Sequence, residues 1–78
     1  MHEMGIAASV VEAVEKELAM RPGARLLRIG LRVGAMSGVD TESLGFCLEC
    51  LMREVAIDFE RTDDDALDLA HLELEVDE

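Results

Sequence analysis

The chain opens Met1-His2-Glu3, an imidazole and a carboxylate beside an amino terminus. An α-amine has an unperturbed pKa of about 7.7–8.0. Together with the backbone nitrogen and imidazole of a second-position histidine, it closes adjacent chelate rings around one metal ion. A further nitrogen or a carboxylate oxygen from Glu3 completes a planar four-coordinate set, and nitrogen-rich square-planar sites suit Ni(II) or Cu(II). The chemistry requires a retained, unblocked Met1. The plainer alternative is an exposed second residue with no role.

Three other groups invite a chemical reading. Cys47-Leu48-Glu49-Cys50 has C-x-x-C spacing, but a closed zinc tetrahedron needs a second pair or histidines, and the chain offers only His2 and His71. Redox thiols favour a helix N-terminus, whereas these lie mid-helix. Cys47 falls on an apolar stripe and Cys50 near its edge, so packing as small hydrophobes is the expected role. His71 falls on the outward face of a strand and is expected to be solvated. Asp63-Asp64-Asp65 lacks the alternating ligands and turn glycine of a calcium loop, and reads as a solvated turn. With no phosphate loop and no nucleophile–base set in the sequence, an enzyme is not expected.

The elements that must position these residues follow from periodicity. Ile6, Val10, Val14 and Leu18 recur every four residues, opposite Glu12, Glu15, Lys16 and Glu17, which predicts an amphipathic helix over 5–20. Arg21-Pro22-Gly23 ends it, because proline disfavours helical geometry in the residue before it. Leu27, Ile29, Leu31 and Val33 alternate with Arg28, Gly30 and Arg32, predicting a half-buried strand over 25–34. A loop of small residues, Gly34–Gly38, leads to Asp40, a helix N-cap. Leu44, Cys47, Leu48 and Leu51 then predict a second helix over 41–53. Val55, Ile57 and Phe59 form one more alternating strand, and Leu72, Leu74 and Val76 another. Leu67 and Leu69 are out of phase with Leu72 onward, so a bulge or kink is expected near Ala70. The fold class is α+β, order α-β-α-β-β, with two helices on one face of a three-stranded sheet. The last two strands are expected to pair as an antiparallel hairpin.

Composition narrows the function classes. Seventy-eight residues make one small domain, half of them apolar, with Phe46 and Phe59 the only aromatics. Charge is uneven: residues 1–53 carry seven acids and six bases, residues 54–78 eleven acids and Arg61 alone. Nucleic-acid and anionic-lipid affinity comes from displacing counterions with Lys and Arg, so neither partner is expected. No run approaches the roughly 20 apolar residues of a membrane span, and no signal-peptide pattern is present. A cytoplasmic location is expected, with a monomer as the default state and strand exchange between copies as the alternative.

The stretches MHEMGIAASVVEAVEKELA and RIGLRVGAMSGVDTESLGFCLEC resemble the nickel metallochaperones of hydrogenase maturation, the HypA/HybF family. The likeness is close over residues 1–60 and continues weakly through LELEVDE. It implies that Met1, His2 and Glu3 hold Ni(II) as transient cargo, with His2 the principal side-chain ligand. Asp40 then lies near that site, in a supporting or alternative ligand role. It further implies delivery to the large subunit of nickel–iron hydrogenase, or to urease, with a nickel-binding GTPase as partner. The family carries a zinc domain with two CxxC pairs between its last two strands. Here RTDDDALD stands in that place, so residues 61–69 are expected to be a short turn region within one nickel-binding domain, 1–78, without structural zinc. The alternative implied by that loss is an interaction domain of the maturation machinery with impaired metal delivery.

Overall fold

A computed structural model describes residues 2–76. Helix α1 (Glu3–Ala19) is followed by strand β1 (Ala24–Gly34), helix α2 (Thr41–Leu51), strand β2 (Ala56–Thr62) and strand β3 (Leu67–Val76). This is the expected α+β order, with the first helix starting two residues early and the second ending two residues early.

α1 starts at Glu3 because an acidic side chain in the first turn suits the positive end of the helix dipole. Its stripe is as the spacing predicts: Ala7 and Val14 are buried, and Ile6, Val10 and Leu18 pack beside them. Gly23, at φ +87°, makes the turn into β1 in the left-handed region. α2 is capped by Asp40 and buries Leu44 and Leu48 completely. Leu51, expected on that stripe, is exposed. The helix stops there, and Met52 and Val55 pack against the core instead.

The sheet order is β2-β1-β3. β1 runs parallel to β2, with Ile29 opposite Ile57 and Leu31 opposite Phe59. It runs antiparallel to β3, with Ile29 opposite Leu72 and Leu31 opposite Leu69. Ile29, Leu31 and Val33 are the buried floor beneath the helices. Ala70 falls out of register between His71 and Leu69, which is the bulge that the phase change in the sequence requires. A second irregularity sits at Leu27, and it is Leu26 rather than Leu27 that packs on the core.

The expected β2–β3 hairpin does not form. The two strands flank β1, and charge gives the reason. Arg28 pairs with Asp58 of β2 at 2.7 Å and Glu73 of β3 at 3.7 Å. Arg32 pairs with Glu60 at 3.3 Å and Asp68 at 2.8 Å, and Arg25 with Glu75 at 3.0 Å. A hairpin would set the carboxylates of β2 against those of β3, and like charges across strands are destabilising. Placing the basic strand between two acidic ones resolves the uneven charge.

Consequently the link between β2 and β3 is a crossing over the end of β1, not a turn between neighbours. Ala35 N–H donates to the Thr62 carbonyl (2.9 Å), Gly34 N–H to Ala66 (2.7 Å) and Met36 N–H to Asp64 (2.9 Å). The crossing is so close that a Cβ at position 34 would run into the Asp64 carbonyl, which requires glycine there. Asp63, Asp64 and Asp65 are exposed, as expected of a solvated turn.

Candidate metal centre

The amino ends of the two helices meet. His2 precedes α1 with extended backbone, its carbonyl accepting from Ile6 N–H at 3.2 Å, and its side chain is exposed. Glu3, in the first turn, is half-buried. Its carboxylate accepts from the Asp40 backbone N–H at 3.2 Å, which ties the start of α1 to the start of α2. The structure therefore brings Glu3 and Asp40 together and places His2 next to them in the chain. Met1 lies outside the described residues.

Asp40 has a structural task. One carboxylate oxygen accepts from the backbone N–H groups of Glu42 (3.0 Å) and Ser43 (3.4 Å), the other from the Ser43 hydroxyl (3.0 Å). The Ser43 hydroxyl, then the two amides, hold the carboxyl below its ordinary value of 3.8. Both oxygens are engaged, and the backbone N–H of the same residue is the one that Glu3 grips. Arg61 of β2 adds a brace, donating to the Thr41 hydroxyl at 3.2 Å. Sequence reasoning missed Ser43, Thr41 and Arg61. Asp40-x-x-Ser43 is a helix-start pattern that was open to reading, whereas Arg61 carries no local signal.

Among the described residues, no three His, Cys, Asp or Glu side chains are gathered closely enough to hold a metal ion. Cys47 is half-buried and packs against the core as expected. Cys50 is exposed, which corrects its placement in the core: one turn beyond Cys47, it has rotated past the edge of the stripe. His71 lies on the face that the helices leave open, exposed as expected, with its imidazole resting over Gly30. Asp64 is engaged locally by the Thr62 hydroxyl and Ala66 N–H, which hold its carboxyl low, so the aspartate run organises the crossing rather than an ion site.

His2 and Glu3, neighbours in the chain, carry an exposed imidazole and an anchored carboxylate, side chains of the types that bind metal ions. A family model described as "Hydrogenase/urease nickel incorporation, metallochaperone, hypA" matches residues 1–76. The chain belongs to the HypA family, whose description is of a metal carrier and not an enzyme. Relatives named hydrogenase maturation factor HypA agree. That of Chlorobaculum tepidum is 47% identical over 53 residues, covering 68% of this chain and 47% of the relative. That of Pelodictyon phaeoclathratiforme is 43% identical over 54 residues, covering 69% and 46%. In Chlorobaculum parvum the relative is 41% identical over 58 residues, covering 74% and 51%. The chain thus spans about half the length of the curated relatives it matches. No solved structure matches it. Among the described residues, no helix is long and apolar enough to cross a membrane.

Proposed function

We propose that this chain is a nickel-binding metallochaperone module that chelates Ni(II) at its amino terminus for incorporation into nickel–iron hydrogenase or urease. The observation that carries the reading is the convergence of the two helix starts, where Glu3 is held on the Asp40 amide beside an exposed His2. Family membership supplies the metal and its destination as the frame for that geometry.

The cargo ion would be held by the Met1 amine and by the backbone nitrogen and imidazole of His2, with Glu3 adjacent. Ligand nitrogens must be free of protons to bind, so nickel affinity falls on acidification. Asp40, Ser43 and Thr41 keep the start of α2 in place and, through it, the Glu3 carboxylate. A nickel-binding GTPase and the hydrogenase large subunit are the partners this role calls for. The Asp63–Ala66 crossing contains no cysteine, so the module is proposed to work without a structural zinc in that position.

An added residue before Met1 tests the amine directly, because it moves the amine out of its chelate ring without substituting any residue of the chain. The extended chain should bind Ni(II) much more weakly at unchanged melting temperature. Equal affinity would remove the amine from the site. Capture of the GTPase partner independently of nickel would instead favour the interaction-domain reading, which the short RTDDDALD stretch in place of the zinc lobe and the acidic residues 54–78 motivate.

A further inference from the structure

The helices do not cover the sheet evenly. α1 makes its main contacts with α2, and a channel runs between α1 and β3. One cavity of about 310 Å³ has Ile6 and Val10 on one wall and Leu67 and Leu69 on the other. A second, of about 450 Å³, continues past the Ala70 bulge along Leu72 and Leu74, and Leu69 lines both. β3 is also a sheet edge: among the described residues its strand partner is β1 alone. One row of its backbone N–H and C=O groups therefore faces outward, a template for a further strand.

We propose that this edge accepts an extended segment of a partner protein in which apolar residues alternate with lysine or arginine. Side chains of an added strand point alternately to the two faces of the sheet. One set would enter the channel, and the other would stand over Asp68, Glu73 and Glu75. Glu75 pairs with Arg25 alone, but Arg28 and Arg32 are each divided between two acids, so five carboxylates of β2 and β3 share three arginines of β1 and the open face is short of positive charge. β1 already shows what pairs with β3: Ile29 and Leu31 toward the helices, Arg28 and Arg32 outward. A second copy of this chain is the poorer occupant. Its edges, β2 and β3, would bring carboxylates against carboxylates.

A capped KVKVKVK peptide tests the proposal against EVEVEVE as control, read by titration and amide hydrogen exchange. KVKVKVK should bind and slow exchange along β3, and EVEVEVE should not. Ser9 is an exposed residue of the channel and Leu67 is 38% exposed, so neither Ser9→Lys nor Leu67→Glu should unfold the chain. Each should weaken KVKVKVK binding by roughly tenfold at unchanged melting temperature. Leu67→Glu is the sharper variant, since an association driven only by charge would be strengthened by the added carboxylate. No binding of KVKVKVK, binding that Leu67→Glu leaves equal or stronger, or β3 protection arising from self-association without peptide would each overturn the proposal.

Discussion

The carboxylate of Asp40 is hydrogen-bonded at both oxygens, which under the proposed nickel site leaves it a positioning role. Its folded-state pKa lies below the ordinary value of 3.8, so the stability it contributes is present above that value and lost as pH falls through the lower one. Thermal melts on an acid series should show the melting temperature dropping below about pH 4. In Asp40→Asn that drop should be smaller, because asparagine still caps but does not titrate. Two glycines make a second contrast. Gly34→Ala collides with backbone and should cost on the order of 1–3 kcal/mol in denaturant unfolding. At Gly30→Ala the nearest atoms belong to the His71 ring, which can swing into solvent, so it should cost less than Gly34→Ala in the same measurement. The cap at Asp40 was legible in the sequence because capping is local. The Glu3 contact to its amide joins residues 37 apart, and only the packed helices bring them together.

At the scale of elements, periodicity settled helices and strands, and the phase change at Leu69–Leu72 located the bulge. Strand order was misread because adjacency in sequence favoured a hairpin over a crossing. The signal was there in the charges: the charged residues of β1 are all arginines, while those of β2 and β3 are mostly acids. Read as a pairing rule, that pattern places β1 in the centre. Arg32→Glu would put a third carboxylate between Glu60 and Asp68. Its melting temperature should fall by several degrees at low salt. Much of the loss should be recovered near 1 M NaCl, where the screening length is about 3 Å. An equal deficit at both salt concentrations would mean that Arg32 acts through its packing and not its charge.

For the whole molecule, a small aliphatic core holds two helix starts together on one sheet. Leu44 and Leu48 are fully buried beneath them. Leu48→Ala should cost about 2–5 kcal/mol by chemical denaturation, a large share of the roughly 5–15 kcal/mol typical of a domain. The proposed site was legible as donor chemistry in Met1-His2-Glu3, but the tie between Glu3 and Asp40 was not, since that depends on how α1 and α2 pack. The central claim is that nickel is held by nitrogens around His2 and not by the cysteines. Titration of Ni(II) into the chain and into His2→Ala, with melting temperature as the check on folding, tests it most directly. The account predicts one Ni(II) per chain, lost in His2→Ala at unchanged stability. Equal affinity in His2→Ala, with binding abolished instead in Cys47→Ser/Cys50→Ser, would contradict it.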